Sequence, residues 1–281
     1  MTTLPPDARP VVVKLGGVAV EDPSRAEPLL RALADLHATD AGGVVIVHGG
    51  GRAVDEHLAR LGIVSERRGG LRVTSDSEMP EIAAVLAGKV NKALASSLCA
   101  IGARAVGMCL GDGSLASASR LVPSRGEPDL GRVGRIVGGD PALLDSLLAG
   151  GFLPVIAPIV FDGVGGLLNV NGDEAASGVA RVIGARLLVL LTDVPGVLDG
   201  SRSLVARLDD DGVEEMIARG VIAGGMIPKV RAALDASRAC GAPTLIASWN
   251  DADAIRNILS PQARGTLVVA RTHTAPPGAR S

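Results

Sequence analysis

The sequence predicts an α/β fold, a three-layer α/β/α sandwich around a mainly parallel sheet of about eight strands. Three observations carry this expectation. Apolar runs such as Val44-Val45-Ile46-Val47 and Leu187-Leu188-Val189-Leu190-Leu191 show no polar alternation, the pattern of strands covered on both faces. Helix-length segments separate these runs, so successive strands are joined by crossovers. Several runs open directly into glycines, as in Lys14-Leu15-Gly16-Gly17 and His48-Gly49-Gly50-Gly51. Such turns mark the carboxyl ends of strands, where open α/β sheets bind ligands.

The chain of 281 residues is long enough for one large domain or two lobes, and a division between residues 183 and 184 is expected. Its 47% hydrophobic content is ample for a core. With two Phe, one Trp and no Tyr, that core is filled by Val, Leu, Ile and Ala. A net charge of −2 argues against a nucleic-acid partner held through phosphates. Cys99, Cys109 and Cys240 are odd in number and lack ligand spacing, which fits buried thiols in a reducing compartment and no zinc site. The N-terminus has no basic-then-apolar leader and the apolar runs are strand-sized, so a cytoplasmic protein without a membrane partner is expected.

In chain order, residues 1–10 hold three prolines and read as a loose tail. Val11 to Leu15 is a strand, and Lys14 near its end either snorkels to solvent or reaches an anion. Pro23 to Leu36 is an amphipathic helix leading to the Val44 strand. The helix from Arg52 follows three glycines, so its first N–H groups point outward with the positive end of the helix dipole. This turn is neither a P-loop nor G-x-G-x-x-G, and its glycines also suit mere close packing. His48 reads either as a base or as a loop anchor. Arg72 lies in a short extended segment, free to clamp a carboxylate or to sit in solvent.

Glu78 to Cys99 is a long helix with Leu86, Val90, Leu94 and Leu98 on one face, and Ala103 to Cys109 is the next strand. Residues 114–139 read as a hairpin or excursion. A helix from Pro141 to Ala149 and a strand-like run from Leu153 to Val160 follow. In Leu168-Asn169-Val170-Asn171-Gly172-Asp173 the alternation puts two carboxamides on one face, and Asp173 stands near the cap of a helix from Glu174 to Gly184. Arg186 to Leu198 is a continuous buried strand ending in a polar turn that includes Asp193-Val194-Pro195-Gly196, and Leu208 to Arg219 is a helix. Gly224-Gly225-Met226-Ile227-Pro228-Lys229 enters a further helix, which places Lys229 against the dipole near a helix N-terminus. Strands at Thr244 to Trp249 and Gly265 to Val269 complete the set, and residues 273–281 read as disordered. Two lysines, one arginine, two asparagines and many N–H groups thus gather at one edge without an evident base. That composition suits phosphoryl transfer between anions, where catalysis is mainly positioning and charge neutralisation.

The ordered motifs Lys14-Leu15-Gly16-Gly17, His48-Gly49-Gly50-Gly51, Gly70-Leu71-Arg72-Val73-Thr74, Asn169-Val170-Asn171-Gly172-Asp173, Thr192-Asp193-Val194-Pro195-Gly196 and Gly225-Met226-Ile227-Pro228-Lys229 resemble the acetylglutamate kinases of the amino acid kinase family. Gly111-Asp112-Gly113 and Ile246-Ala247-Ser248-Trp249 resemble the enterobacterial, dimeric type. The resemblance runs from about Val11 to Val269. It implies transfer of the ATP γ-phosphoryl group to the γ-carboxylate of N-acetyl-L-glutamate, in arginine biosynthesis.

By the same resemblance, Gly50, Gly51, Arg72, Asn169 and Asn171 would bind acetylglutamate, with Arg72 on its α-carboxylate. Lys14 and Lys229 would neutralise the transferring group, and Asp173 would hold both lysines. Gly16 and Gly17, Asp193, Val194, Pro195, Gly196, Val197 and Leu198, and Val221 to Met226 with Gly224, Gly225 and Met226 would contact the nucleotide, with Mg2+ held by its phosphates. Residues 1–183 would form the acyl-substrate lobe with the dimer surface, and residues 184–281 the nucleotide lobe. The chain departs from the family pattern at Gly172, where alanine is usual, and at Ser75, where aspartate is common. A short N-terminal tail leads us to expect a homodimer without arginine inhibition. A kinase of carrier-bound aminoadipate and a non-catalytic sensor remain alternatives, whereas the absent G-x-G-x-x-G turn disfavours a dehydrogenase.

Overall fold

The computed structural model describes residues 8–21, 25–122, 126, 128–260 and 263–271. The reading of residues 1–10 as a loose tail lies outside them up to residue 7, that of residues 273–281 as disordered lies wholly outside them, and so does the helix start expected at Pro23. The main sheet has eight strands: β1 (Val11–Leu15), β2 (Val44–His48), β3 (Ala105–Cys109), β6 (Leu153–Ala157), β9 (Leu187–Thr192), β10 (Arg207–Leu208), β11 (Thr244–Ser248) and β12 (Thr266–Val268). Their order across the sheet is β10-β12-β11-β9-β1-β2-β6-β3. Every pairing is parallel except β11 with β12. The alternating segment from Leu168 is not in this sheet, which has the short strand Arg207–Leu208 at one edge.

A smaller four-stranded sheet holds β4 (Ser117–Arg120), β5 (Val133–Gly138), β7 (Ile159–Phe161) and β8 (Leu167–Val170) in the order β4-β5-β8-β7. β4 and β5 make the hairpin expected between residues 114 and 139. The run Leu153 to Val160 is split at Pro158, whose missing N–H ends one ladder before Ile159 begins another.

Alternate residues of the central strands enter different cores. Val12, Val45 and Val47 pack on one face of the sheet, and Val11, Val13, Leu15, Val44 and Ile46 on the other. The first face is covered by α4 (Ala142–Ala149), α5 (Gly172–Val182), α6 (Asp210–Ala218) and α7 (Met226–Cys240). The second is covered by α1 (Glu27–Thr39), α2 (Gly51–Arg60) and α3, the continuous helical stretch Met79–Ala100. These are the three expected layers. Each aliphatic side chain buried this way contributes about 1.5–3 kcal/mol, so the near-absence of aromatics costs the core little. α3 is 22 residues long and apolar enough to cross a membrane by composition, but Ile82, Leu86, Val90, Leu94 and Leu98 pack into the core.

β1 fixes where function can sit. It pairs with β2 on one side (Lys14 with Val47) and with β9 on the other (Lys14 with Leu190). The connections leaving this point cover opposite faces of the sheet, so loops after β1, β2 and β9 diverge and leave a crevice at their carboxyl ends.

Candidate active site

A cleft of ≈ 250 Å³ opens at that crevice, lined by Lys14, the glycines 16, 17 and 49–51, Arg67, Arg72, Asn169, Asn171 and Asp173 among others. Lys14 extends from β1 over Gly16, where an added Cβ would stand 2.9 Å from its Nζ. The ammonium pairs with Asp173 Oδ1 at 2.9 Å, so the charge expected to be costly in a buried strand is compensated.

Asp173 is positioned by the start of α5. The helix begins at Gly172, and its cap is Asn171, whose Oδ1 accepts from the N–H of Asp173 at 2.9 Å and of Glu174 at 3.4 Å. The expectation of Asp173 at the cap therefore shifts by two residues: Asn171 does the capping, and Asp173, freed from it, faces Lys14. Asn171 lines the cleft, but its side-chain oxygen is committed to the helix. Asn169 is held more loosely, donating to Thr74 Oγ1 at 3.4 Å. Further along α5, Glu174 Oε1 accepts from Ile136 N at 3.1 Å, and Arg181 Nη2 donates to Ile136 O at 3.2 Å. Two helix side chains thus satisfy the β5 edge beyond the end of β8 and fix the helix against it.

The opposite wall is cationic. Arg72 is buried to 6% side-chain exposure and pairs with Asp55 Oδ1 at 2.5 Å. It also donates to Gly51 O at 2.8 Å and to Ser65 Oγ. Asp55 accepts from Arg67 as well, at 2.8 Å. One carboxylate thus stands between two guanidiniums, and the pair keeps excess positive charge toward the cleft. Burial opposes the Asp55 charge, but the hydrogen bonds from Arg72 and Arg67 outweigh it and hold its carboxyl below the usual range. Arg67, Asp55 and Ser65 escape the sequence reading, because no motif spans the turn that brings them to Arg72. The adjacent pair Arg67-Arg68 before Gly69-Gly70 is a local signal.

The glycine turn itself is built as expected for an anion cradle. Val54 N–H closes the first turn of α2 on Gly50 O at 3.0 Å, so the amides of Gly51, Arg52 and Ala53 precede any intrahelical acceptor. Gly50 has φ +153°, which disfavours a side chain there. His48 is fully buried and anchors this turn: its Nδ1 faces Gly49 O at 2.6 Å and its Nε2 faces Asn91 Nδ2 at 3.1 Å. Burial pushes its pKa down to about 4, so it is neither charged nor reachable as a base. The unfolded chain takes up this proton near 6.5 and the native one only near 4, so stability falls as pH drops through that window. The loss attributable to His48 is about 3 kcal/mol by pH 4. Comparing melting of the wild type with His48→Gln across pH 7 to 4 checks it: the variant lacks that share of the slope.

The two departures from the family pattern have local explanations. Ser75 N–H and Oγ both donate to Glu78 Oε2 at 2.7 Å, and Glu78 N–H donates back to Ser75 Oγ at 3.2 Å. These reciprocal bonds close the turn that leads into α3, and serine makes them without aspartate. A Cβ on Gly172 would meet Lys14 Cε at 3.5 Å and Gly49 Cα at 3.7 Å, ordinary contacts. Gly172→Ala is therefore expected to stabilise the protein by about 0.5 kcal/mol, read as a rise in Tm.

The remaining predicted residues lie across β1, on the β9 side. Thr192 Oγ1 accepts from Val194 N at 3.2 Å, and Thr266 Oγ1 accepts from Val197 N at 2.8 Å, shaping the loop Asp193 to Leu198. Gly196 has φ +143° and packs on Thr266. Gly224, at φ +55°, turns the chain into α7, with Gly225 as the residue before Met226. Lys229, one turn into α7, pairs with Asp193 Oδ1 at 2.5 Å, and that bond depresses the Asp193 pKa. This corrects the expectation that Asp173 holds both lysines: Asp173 holds Lys14, and Asp193 holds Lys229. The structure thus joins Lys14, Gly16, Gly17, Gly50, Gly51, Arg72, Asn169, Asn171 and Asp173 around one cleft. Lys229, Asp193, Val194, Pro195, Gly196, Val197, Leu198, Gly224, Gly225 and Met226 are not among its lining residues.

Residues 9–248 match the model of the amino acid kinase family. The chain is 42% identical to the acetylglutamate kinase of Pectobacterium atrosepticum over 93% of its own length and 99% of that protein. Among solved structures it superposes on N-acetylglutamate synthase from Neisseria gonorrhoeae, complexed with coenzyme A and N-acetyl-glutamate, with TM-score 0.75 at 22% identity, covering 94% of this chain and 60% of that one. It superposes on the carbamate kinase of Giardia with TM-score 0.60 at 20% identity, covering 94% and 99%. With the order of its motifs, its eight-stranded sheet, the family match over residues 9–248 and the 42% identity to an acetylglutamate kinase over nearly all of both chains, the chain belongs to the amino acid kinase family.

Proposed function

We propose that the protein transfers the γ-phosphoryl group of ATP to the γ-carboxylate of N-acetyl-L-glutamate. The observation that carries this reading is the pairing, in one cleft, of a lysine–aspartate couple with a two-arginine wall across a glycine turn whose amides precede any intrahelical acceptor. The 42% identity to an acetylglutamate kinase over nearly all of both chains supports the choice of acceptor.

In this reading residues 1–183 hold the acyl substrate and residues 184–281 the nucleotide. Arg72, with Arg67 beside it, receives the α-carboxylate, and Gly50, Gly51 and Asn169 orient the rest. Asp193 to Leu198 and Gly224 to Met226 seat the nucleotide, with Gly16 and Gly17 offering N–H groups to its phosphates. A γ-carboxylate oxygen attacks Pγ, the bond from Pγ to the β–γ bridging oxygen breaks, and that oxygen leaves with ADP. A carboxylate is already ionised at neutral pH, so no proton has to be removed and the burial of His48 costs the reaction nothing. Lys14 and Lys229 neutralise the charge that spreads over the phosphoryl oxygens. Asp173 and Asp193 are each engaged by a lysine, which leaves Mg2+ to be carried by the phosphates. The cytoplasm as compartment, and a homodimer as assembly, belong to the same reading.

Hydroxylamine trapping tests it. Incubation with MgATP and a panel of acidic amino acids is expected to give hydroxamate with N-acetyl-L-glutamate and far less with glutamate or aspartate. Hydroxamate from a different acid, or ATP turnover indifferent to any acid, overturns the assignment.

A further inference from the structure

The long helix α3 is not α-helical throughout: residues Ala84–Val90 form a π-helical segment between two α-helical parts. The distinction matters for what faces the glycine turn after β2. Leu86 lies under Gly50, where an added Cβ would stand 2.8 Å from its Cδ2, and it lines the cleft beside Gly50 and Gly51. Asn91, five residues later and fully buried, donates from Nδ2 to His48 Nε2 at 3.1 Å and to Val155 O at 2.9 Å. In an α-helix residues five apart are about 140° away from each other around the axis. In a π turn, bonded i to i+5, they stand on the same face. The π segment is thus what lets one helix support Gly50 with Leu86 and His48 with Asn91 together.

The hydrogen bonds fix the state of His48. Gly49 O only accepts, so the proton sits on His48 Nδ1. Nε2 is then an acceptor, as the Asn91 amide requires. Turning the Asn91 amide over would point its oxygen at the Val155 carbonyl, so its orientation is also determined. Asn91 Oδ1 has no hydrogen-bond partner among the described residues and faces Gly107, where a Cβ would collide with it. A buried polar atom left unsatisfied is a cost, and it is accepted here for the sake of the two bonds on the other side of the amide.

We propose that the π-helical segment, through Leu86 and the Asn91–His48 pair, sets the direction in which the amides of Gly50 and Gly51 point into the cleft. His48 and Asn91 are positioning residues that touch no substrate. The identity of the ligand they serve rests on the acyl-phosphotransfer reading above. Inserting one alanine after Gly88, an exposed residue of the segment with open space around it, sets Leu86 and Asn91 six apart and turns Asn91 about 100° further around the axis, away from His48. Asn91→Leu removes the bond while keeping the bulk.

Both variants are expected to raise KM for N-acetyl-L-glutamate by about tenfold or more and to leave KM for ATP within about twofold. In the wild type, long-range 1H–15N correlations should show His48 as the Nδ1–H tautomer, and Asn91→Leu should shift its Nε2 resonance. A wild-type His48 protonated on Nε2, or an Asn91→Leu protein that shifts Nε2 but keeps the acceptor KM, overturns the proposal. The tautomer measurement needs no turnover and no variant. Absence of phosphoryl transfer to acetylglutamate in the wild type would strike the functional reading and leave the tautomer test of the positioning pair standing.

Discussion

Lys14→Ala is expected to lower kcat by about 10²–10³-fold while KM for N-acetyl-L-glutamate changes much less. The reason is where the charge stands. In the structure the ammonium is already balanced by Asp173 at 2.9 Å, so an incoming carboxylate adds little to its electrostatic environment in the ground state. As the phosphoryl group moves, negative charge spreads over its peripheral oxygens, and a fixed cation at the end of β1 meets that charge without reorganising. Lys229→Ala should behave alike, cutting turnover far more than acceptor affinity. Its starting point differs, because Lys229 is held by the exposed Asp193 and outside the cleft lining. Asp193→Asn should therefore disturb the nucleotide side before the acyl side. Steady-state kinetics with each substrate varied separates these cases. Equal losses in kcat and acceptor affinity would make the lysines binding groups only.

Arg72→Leu is expected to raise KM for N-acetyl-L-glutamate by about 10²-fold. A planar guanidinium held by Asp55, Ser65 and Gly51 O is pre-set for a carboxylate, and its fixed orientation means little entropy is lost on binding. Arg72→Lys should not restore affinity, because a point charge cannot keep those three bonds and grip a carboxylate as well. The decisive comparison uses 4-acetamidobutanoate, which lacks the α-carboxylate. Wild-type protein should discriminate strongly against it and Arg72→Leu hardly at all. A variant that keeps the discrimination would move the α-carboxylate contact to Arg67. Some loss of stability, about 1–3 kcal/mol from the unpaired partners, should accompany the substitution.

The layers of the fold were legible because burial on both faces leaves an unambiguous trace. Val11-Val12-Val13, Val44-Val45-Ile46-Val47 and Leu187 to Leu191 have no polar face to offer, and all became central parallel strands. The edge of the sheet was not legible. Arg207–Leu208 is a two-residue strand with no periodicity, and it is defined only by pairing with β12. Leu167–Val170 reads as a strand from its alternation, but alternation cannot say which sheet receives it.

The site divides along the same line. Lys14, Gly50, Gly51, Arg72, Asn169 and Asp173 stood out through ordered motifs at strand ends, although each also has a plain local reading, and the cleft brings them together. Partners were another matter. Which carboxylate holds which lysine depends on the distance between α5 and α7 and on the capping role of Asn171, neither of which is a local quantity.

From the order of its residues alone, this protein settles its layers, its strand ends and its charged side chains, since periodicity and glycine placement act over a few neighbours. The pairing of Lys229 with Asp193, the joining of Arg67 to Arg72 through Asp55, and the burial that silences His48 arise only when distant segments meet. Desolvation and charge pairing depend on separations in space, and a chain fixes those only once it has packed.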